Sequence, residues 1–334
     1  MAEWTPPEEL DEYRLVRLLG RGAMGAVYLA HDQLLDRPVA VKFVRAADDP
    51  VARSRALEEA RAIARLQHPN VVAIYRIAET ARPPYLVSEY VRGTTLDEIA
   101  RPVPWKEMLP LAIDLARGLA AAHRSGVLHR DVKPANAILA DDGRGKLLDF
   151  GLARAIDAEP VFLPPRERAE SPPIAVDVTR SSPARGSSPS VESDSFDREA
   201  PEGSPLDLGN PGPREAGTPL YMAPELWRGE PATRRSDLYA FGVLLYELLA
   251  GTAPRRGMAI AELGEAVQNA DIPRLTTAAP GVDAAFAAVV DRLVERDPGA
   301  RFASAEALLV ALEEIAEPRP LSVPDGNPYR GLAA

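Results

Sequence analysis

The first 44 residues carry short runs in which apolar and polar side chains alternate. The runs are YRLVRLLG at 13–20, AVYLA at 26–30 and VAVKFV at 39–44, and glycine or proline marks the turns between them. Successive side chains of a strand point to opposite faces, so this alternation, with its β-branched and aromatic residues, predicts β-structure. We therefore expect three consecutive strands joined by tight turns.

The apolar period changes after this point. Within residues 51–66, Leu57, Ala60, Ile63 and Ala64 recur at three- and four-residue spacing, which predicts an amphipathic helix. Strand-like runs follow at 71–77 and 85–91, and the longest helical patterns beyond them cover 106–125, 235–250, 283–296 and 304–316. A strand-rich first part and a helix-rich remainder predict two lobes of different structural class.

One long stretch matches neither period. Residues 152–216 contain eleven prolines and nine serines, and their seven arginines and twelve acids leave a net charge of −5. Such a composition cannot bury a core and predicts disorder. The last residues, 317–334, carry proline and glycine in the same way and are predicted to form a linker or tail.

Composition narrows the classes of protein. Apolar residues make up 46% and charged residues 26% of the 334, which is typical of a globular chain. The net charge of −10 disfavours nucleic acid as a partner, and the absence of cysteine excludes disulfides and Cys-ligated zinc. The longest apolar run, Tyr239 to Gly251, is interrupted by Glu247, and the acidic N-terminus does not resemble a signal peptide. We expect no membrane segment and a cytoplasmic location.

Lysine is rare in this chain. Of 39 basic residues only Lys42, Lys106, Lys133 and Lys146 are lysines. Lys42 lies in an apolar strand, and because burying an unpaired ammonium costs several kcal/mol, it needs an anionic partner. The preferred partner is Glu59 on the following helix, with Glu58 as the solvated alternative. A lysine that extends from an edge strand into water is the other interpretation.

Two further motifs carry candidate chemistry. Residues 20–27 have the form GxGxxGxV between two strands, where glycines let backbone amides approach a polyphosphate. Alone this is equally well an ordinary glycine-rich hairpin. Residues 128–136 then bring together Asp131, Lys133 and Asn136, and Asp149 begins an Asp-Phe-Gly sequence thirteen residues later.

In this order, the glycine loop, VAVK, HRDxKxxN and DFG resemble the signature of eukaryotic-type (Hanks-type) protein serine/threonine kinases, in particular their bacterial branch. Further similar segments are GTPLYMAPE at 217–225, SDLYAFG at 236–242, His-Pro-Asn at 68–70, and a late arginine, Arg301, which the family pairs with Glu225. The resemblance implies an α+β, two-lobed kinase fold. Its N-lobe is a small antiparallel sheet with one main helix, and its C-lobe is larger and mostly helical.

The resemblance also implies a division of the chain. Residues 1–10 are expected to be an N-terminal extension and 11–316 the kinase domain, with the N-lobe at about 11–90 and the C-lobe at about 91–316. A disordered insert at about 155–214 would lie in the activation segment, because Asp149 and Glu225 are 76 positions apart where the family has a few tens.

The same resemblance implies roles for individual residues. ATP and Mg²⁺ are the expected cofactors, and proteins with Ser or Thr acceptors, including this chain itself, the expected substrates. Asp131, Lys133, Lys42 and Glu59 are the expected catalytic residues: Asp131 orients the acceptor hydroxyl, Lys133 stabilises the transferred phosphoryl group, Lys42 contacts the α- and β-phosphates, and Glu59 holds Lys42. Asn136 and Asp149 are expected to bind the metal. The expected nucleotide contacts are Gly20, Arg21, Gly22, Ala23, Met24, Gly25, Val27, Ala40, Lys42, Glu89 and Val91.

Two further residues have expected structural roles. Asp237 is a candidate cap of the helix at 238–250, and the resemblance implies that it also anchors the backbone of the catalytic loop. The resemblance places His129 in the apolar interior against Phe150, which implies a structural role rather than that of a general base.

Some expectations stay open on the sequence. Arg130 marks kinases that pair this arginine with an activation-loop phosphate, yet residues 205–217 contain no serine or threonine, which leaves Ser204, Thr218 or the acid Glu215 to meet it. The rival classes are a nucleotide-binding pseudokinase scaffold and a small-molecule kinase of related fold.

Residues 327–332 resemble the NPYxGL stretch that opens a STAND-type NTPase domain in some bacterial kinase fusions, which implies a fused C-terminal NTPase module. The alternative is a plain tail that ends near Ala334.

Overall fold

A computed structural model describes residues 6–22, 25–44, 61–78, 84–150 and 219–316. Several expectations therefore lie outside the described residues. They concern Ala23, Met24, Glu58 and Glu59, the insert at about 155–214 with its phosphorylation sites, and the tail at 317–334.

The N-terminal part forms a six-stranded antiparallel sheet. Its strands are β1 (Glu9–Leu10), β2 (Tyr13–Gly22), β3 (Gly25–Asp32), β4 (Arg37–Val44), β5 (Ile74–Ala78) and β6 (Tyr85–Glu89), in the order β1-β2-β3-β4-β6-β5. The three strands predicted from the alternation are present. Glu9 and Leu10 pair with β2, so the sheet begins two residues before the domain boundary predicted at residue 11.

The two faces of this sheet have different environments. On one face Val39, Val41, Phe43, Tyr85 and Val87 are buried together in an apolar cluster. Directly opposed residues of antiparallel strands share a face, and the pleat sends alternate residues to the other side. Val27 pairs with Lys42, Lys42 with Leu86, and Ala40 with Ser88, so these side chains share the second face. That second face carries the lysine predicted to act in the site.

A second, three-stranded antiparallel sheet follows. It consists of β7 (Gly93–Thr95), β8 (Ala137–Ala140) and β9 (Gly145–Leu147), in that order. The alternation of apolar and polar residues did not predict these strands, because three or four residues are too few for a period to be recognised. Strands β8 and β9 form the hairpin that lies between Asn136 and Asp149 in the chain, so this sheet brings the two expected metal ligands to one side of the molecule.

Helices make up most of the remaining described residues. They are α1 (Trp105–Arg124), α2 (Pro224–Trp227), α3 (Arg234–Ala250), α4 (Ile260–Asn269), α5 (Leu275–Ala278), α6 (Ala284–Leu293) and α7 (Ala305–Ile315). Residues 61–64 are also helical and are the described end of the helix predicted at 51–66. The four long helices predicted beyond the strand-like runs are present, although α6 ends three residues earlier than its pattern indicated.

Helix α3 lies at the centre of the helical lobe. Nearly every residue from Ser236 to Leu249 is buried, and a helix that is apolar on all sides must be covered on all sides. It contacts α1 and α6, and it approaches α6 so closely that a Cβ on Gly242 would lie 2.6 Å from Leu293 Cβ. Within the described parts of the chain, no helix combines the length and apolar character that a membrane span requires.

Candidate active site

The loop of residues 128–136 is anchored to helix α3 through Asp237. The buried carboxylate of Asp237 accepts hydrogen bonds from the backbone amides of His129 (2.8 Å) and Arg130 (2.7 Å), and it also lies 2.8 Å from His123 Nε2. Arg130 has a φ of 62°, a backbone conformation that non-glycine residues rarely adopt, and the Asp237 bond helps to hold it there. The carboxylate of Asp237 therefore fixes the start of the loop.

The role expected of Asp237 as a helix cap is wrong. Helix α3 begins at Arg234 and is capped by Thr233, whose side chain and backbone exchange hydrogen bonds with Ser236 in a capping box. Because the cap, Thr233, is four residues earlier than the sequence suggested, Asp237 lies in the first turn of the helix and does not cap it. Its expected second role, anchoring the loop, is the one the structure has.

Lys133 and Asn136 both contact the same carboxylate oxygen of Asp131. Lys133 Nζ lies 2.7 Å from Asp131 Oδ2, and Asn136 Nδ2 donates to the same oxygen at 2.7 Å and to the Asp131 carbonyl at 2.8 Å. Only 7% of Asp131 is exposed. These hydrogen bonds use the Oδ2 atom of Asp131 and do not involve its Oδ1 atom. The Asn136 bonds likewise use its nitrogen and leave out its carbonyl oxygen.

Asp149 and Lys42 meet across the cleft between the lobes. Lys42 Nζ donates to Asp149 Oδ2 at 2.8 Å, although the two residues are 107 positions apart. Partial burial raises the pKa of Asp149, but the charge and hydrogen bond of Lys42 outweigh it, so the pKa lies below its ordinary value. Asp149 also has a φ of 48°, so its backbone leaves the extended conformation of the preceding strand β9. The lysine in the apolar strand thus has an anionic partner, and the edge-strand interpretation is wrong.

His129 is part of the apolar interior. It is fully buried, and its ring lies 4.5 Å from that of Phe150 between centroids. Burial lowers its pKa below the ordinary value despite the nearby Asp237 and Asp131 carboxylates, so the ring is neutral. A neutral, buried imidazole that stacks on Phe150 is not placed as a general base. The structural role expected from the sequence is confirmed.

The expected nucleotide contacts lie above these residues. Gly20 pairs with Val27 and Gly22 with Gly25 across the hairpin of β2 and β3, which is the setting that the sequence predicted for the glycine loop. Ala40 and Lys42 are on the neighbouring strand β4, and Glu89 ends β6. Arg21 lies in the hairpin and Val91 two residues beyond Glu89.

A buried ion pair holds Glu225, at the end of the 217–225 segment, against the helical lobe. Arg301 donates to both carboxylate oxygens of Glu225, at 2.8 and 2.9 Å, and Ser236 donates to Glu225 at 2.9 Å. Burial raises the pKa of Glu225, but the Arg301 bond and charge outweigh it and hold the pKa below its ordinary value. The pairing expected between these residues is confirmed.

The chemistry of the donors fits a magnesium nucleotide. Within the residues that the structure describes, no group of three or more His, Asp or Glu could hold a metal by itself. Mg²⁺ is commonly bound by one or two carboxylates together with substrate phosphates and waters rather than by an all-protein cage. An ionised Asp149 and an Asn136 carbonyl oxygen are hard ligands of the kind it prefers.

Nothing in the sequence indicated the partners of two further charged residues, Glu247 and Lys146. Glu247, buried on α3, pairs with Arg101 and Arg256, and it accepts a hydrogen bond from the hydroxyl of Tyr221, four residues before Glu225. Burial raises the pKa of Tyr221, so it stays a donor. Lys146 pairs with the side chain of Glu89. The rarity of lysine was the one signal that could have singled out Lys146.

Comparison with known proteins agrees with this geometry. The family model described as the protein kinase domain matches residues 13–166 and 207–311. The chain belongs to the protein kinase family, and its α+β, two-lobed fold is the kinase fold.

Three curated relatives show the branch of the family. The chain is 34% identical over 314 residues to the serine/threonine-protein kinase PknL of Mycobacterium tuberculosis, covering 92% of this chain and 67% of PknL. It is 32% identical to PknB of Mycobacterium leprae, covering 96% of this chain and 45% of PknB. It is 32% identical to PknE of M. tuberculosis, covering 90% of this chain and 45% of PknE. The resemblance to bacterial Hanks-type kinases is confirmed.

Proposed function

We propose that this chain is an ATP-dependent protein serine/threonine kinase that transfers the γ-phosphoryl group of ATP to Ser and Thr hydroxyls of proteins, itself included. The observation that carries the proposal is the arrangement around Asp131. Its carboxylate is buried on a loop anchored by Asp237, is bonded to Lys133 and Asn136, and keeps one oxygen out of those bonds.

The residues act mainly by positioning and by charge. Asp131 Oδ1 accepts the hydrogen bond of an acceptor hydroxyl and orients its oxygen towards the γ-phosphorus. As the new oxygen–phosphorus bond forms, the bond from the γ-phosphorus to the β–γ bridging oxygen breaks, and its electron pair leaves with ADP. Asp131 takes up the hydroxyl proton, and Lys133, now beside Asp131, stabilises the negative charge of the transferred group.

The nucleotide is held from both lobes. We place the adenine between Val27 and Ala40 above and apolar residues of the second sheet below, with the backbone around Glu89 and Val91 reading its edge. The amides of residues 20–25 cover the phosphates, and Lys42 exchanges part of its bond with Asp149 for the α- and β-phosphates. Lys42 and Asp149 already face each other at 2.8 Å, which supports a phosphate position between them.

Asp149 and Asn136 are the residues that would hold Mg²⁺, which neutralises phosphate charge when bound. Asp149 is supported as a ligand by its lowered pKa, since an ionised carboxylate is the required form. Asn136 is supported by its hydrogen bonds, which fix the amide through its nitrogen and leave the oxygen outside them.

The substrate class rests on two observations. The three relatives described above carry names as serine/threonine-protein kinases. Lys133, two residues after the base, is the form of the loop found in serine/threonine rather than tyrosine kinases, and here it touches Asp131. We place the activity in the cytoplasm, where ATP is available. Nothing in the site favours the pseudokinase alternative, because Lys42, Asp131 and Asp149 are all present and in contact distance of their partners.

Mass spectrometry of the purified chain after incubation with Mg-ATP and a generic protein substrate tests the function. We expect phosphate on Ser and Thr, including serines between Ser171 and Ser204, which are tethered near the site at high effective concentration. The Asp131→Asn variant should lose this signal, and Asp142→Asn, an exposed carboxylate on the β8–β9 turn, should keep it. Phosphate on tyrosine, or equal labelling in Asp131→Asn, would contradict the proposal.

A further inference from the structure

Lys146 makes an ion pair between the two lobes. It lies on β9, and its Nζ is bonded to Oε1 of Glu89 at the end of β6, 57 positions earlier in the chain. The side chains are only 14% and 27% exposed, so both charges are largely removed from water. Of the four lysines, Lys42 and Lys133 belong to the catalytic motifs, and Lys146 is the other one with a carboxylate partner in the described residues.

The pair is one corner of a connected set of hydrogen bonds. The second oxygen of Glu89 accepts from the Ala73 amide at 3.3 Å, and the Glu89 amide donates to the Ala73 carbonyl at 2.9 Å. On the other side, Leu147 N donates to Asn70 O at 2.9 Å and Val72 N donates to Leu147 O at 3.0 Å. Residues 70–73 are thus hydrogen-bonded to β6, which carries Glu89, and to β9, which carries Lys146. The ion pair of Lys146 with Glu89 links these two strands directly.

The position of the pair connects the two ends of the proposed nucleotide site. Glu89 is followed at once by the backbone that we propose reads the adenine edge. Lys146 lies three residues before Asp149, which faces Lys42 where the phosphates are placed. One end of the ion pair therefore belongs to the adenine end of the site and the other to the phosphate end.

We propose that Glu89 and Lys146 are positioning residues that fix the span between the adenine and phosphate ends of the nucleotide site, and so set the affinity for Mg-ATP and Mg-ADP. This inference rests on the proposed function. A nucleoside phosphate touches both ends at once, so an error in their separation weakens one set of contacts whenever the other is made. Adenosine reaches the adenine end alone and is insensitive to the span.

The two charges are suited to this task because they are difficult to separate. Partly buried opposite charges hold each other strongly, and removal of one leaves the other without a partner in a poorly solvated place. The neighbouring backbone bonds limit how far the strands can separate, so the loss of the pair loosens the joint between the lobes while both lobes stay folded. The effect therefore belongs to nucleotide affinity more than to turnover.

The test compares Lys146→Met, Glu89→Gln and the double variant with the wild-type chain. Glu89→Gln keeps an amide oxygen for the Ala73 amide, so it removes the charge with little other change. Affinity for Mg-ADP and for adenosine is measured by calorimetry, and KM and kcat with Mg-ATP are measured by turnover. As a matched control, Arg76→Met and Glu12→Gln break a partly buried ion pair that lies wholly in the N-terminal sheet.

We expect each single variant to weaken Mg-ADP and to raise KM for ATP about tenfold, the factor that corresponds to about 1.4 kcal/mol, with kcat changed less than about threefold. The double variant should lose no more affinity for Mg-ADP than the single variant that binds it less tightly, because the two partners act as one unit. Adenosine affinity should change less than about threefold in all of them, and the control variants should match the wild type in every binding measurement.

Three results would overturn the inference. They are unchanged Mg-ADP affinity in a folded Lys146→Met or Glu89→Gln protein, an equal loss of adenosine and Mg-ADP affinity, or full additivity in the double variant. If Lys146→Met does not fold, Glu89→Gln alone decides. Calorimetry needs no turnover, so a wild-type protein that binds Mg-ADP but phosphorylates nothing would contradict the proposed function while leaving this test intact.

Discussion

The buried charged side chains described above each contact an opposite charge or a backbone hydrogen-bonding group. Asp237 accepts two backbone amides, Glu225 is paired with Arg301, and Asp131 is bonded to Lys133. A buried charge without such partners costs several kcal/mol, so each pair is stable only as a pair. At the scale of residues, function and stability therefore respond most strongly to changes that remove one member.

Replacing Lys42 with methionine should abolish phosphotransfer and leave the fold nearly intact. Methionine matches the aliphatic stem but cannot bond Asp149 or phosphate, so we expect turnover to fall by a factor of about 10²–10³. Arginine should fail too, because its planar guanidinium is bulkier than an ammonium. The measurement is the initial rate of phosphate transfer from labelled ATP, with thermal unfolding as the check on folding.

Lys106→Met is the matched control for this prediction. Lys106 lies on α1, near the Trp105 ring and away from the cleft, so its loss should leave the rate unchanged. Turnover of Lys42→Met above about a tenth of the wild-type rate would remove Lys42 from the catalytic residues.

The Glu225–Arg301 pair should make stability depend on pH. The folded-state pKa of Glu225 lies below its ordinary value of 4.5, so its contribution is fully present above about pH 4.5 and is lost as the pH falls through the folded pKa. We expect Glu225→Gln to lower the free energy of unfolding by about 3 kcal/mol at pH 7, because Arg301 is left buried without its partner. The difference from wild type should shrink towards pH 3.

Urea unfolding at pH 7, 5, 4 and 3 measures this dependence. The control is Glu230→Gln, because Glu230 is an exposed carboxylate paired with Arg228 and should change stability by less than about 0.5 kcal/mol. A constant difference between Glu225→Gln and wild type across this pH range would contradict the assignment of the pKa shift.

At the scale of elements, helix α3 is the scaffold of the site. It carries Asp237 beneath the loop of residues 128–136, Ser236 beside Glu225, and Glu247 beneath Tyr221. Residues 236 and 237 lie in its first turn and 247 three turns later, so one rigid helix reaches the catalytic loop and both ends of the segment from 221 to 225. Its burial on all sides keeps these carboxylates at fixed positions.

A contact of helix α1 gives a prediction at this scale. A Cβ on Gly118 would lie 2.5 Å from the carbonyl oxygen of Asn70, which accepts the Leu147 amide. Alanine gains up to about 1 kcal/mol in helix propensity, but overpacking against backbone costs about 1–3 kcal/mol, so Gly118→Ala should destabilise the protein. Thermal unfolding should show a lower Tm.

Gly281→Ala serves as the comparison for this change. No atom lies within 4 Å of the position of its added Cβ, so we expect a change of less than about 0.5 kcal/mol. A Tm of Gly118→Ala equal to or above the wild-type Tm would show that α1 and the 68–70 turn can separate at little cost.

At the scale of the whole molecule, contacts between distant segments assemble the site. Lys42 and Asp149 are 107 positions apart, and Glu225 and Arg301 are 76 apart. The described lobes meet through the first pair, through the ion pair of Lys146 with Glu89, and through the hydrogen bonds of residues 70–73 to β6 and β9. Both lobes must therefore fold and dock before the expected nucleotide site is complete.

The composition of residues 160–210 predicts where proteases cut first. Proline and serine there cannot offset an ordering entropy of about 1–2 kcal/mol per residue. Limited trypsin digestion should cleave at the arginines of this stretch before it cleaves at Arg144 or Arg228, which are exposed in the described structure. Fragment masses identify the first cuts, and strong amide-exchange protection within 160–210 would contradict the prediction.

Most of the elements and of the site follow from local patterns. Periods of two and of three to four residues predicted β2, β3, β4 and the four long helices, because burial of one face imposes those periods. The motifs around Lys42, Asp131, Asn136 and Asp149 indicated kinase chemistry because their residue types and order resemble the signature of that family. Strands β1 and β7 to β9 and helices α2 and α5 were missed, since two to four residues carry too little period. Helix α4 was missed although its ten residues are amphipathic.

The tertiary structure alone decided which charges meet. The sequence could not show that Lys42 contacts Asp149, that Lys146 joins Glu89, or that Glu247 lies under Tyr221, because these partners are 107, 57 and 26 positions apart. The sequence pattern also misassigned Asp237 as a cap, since the actual cap at Thr233, four residues earlier, depends on where the chain enters the helix. Local sequence determines the period and chemistry of each segment, whereas the docking of segments determines which side chains become neighbours.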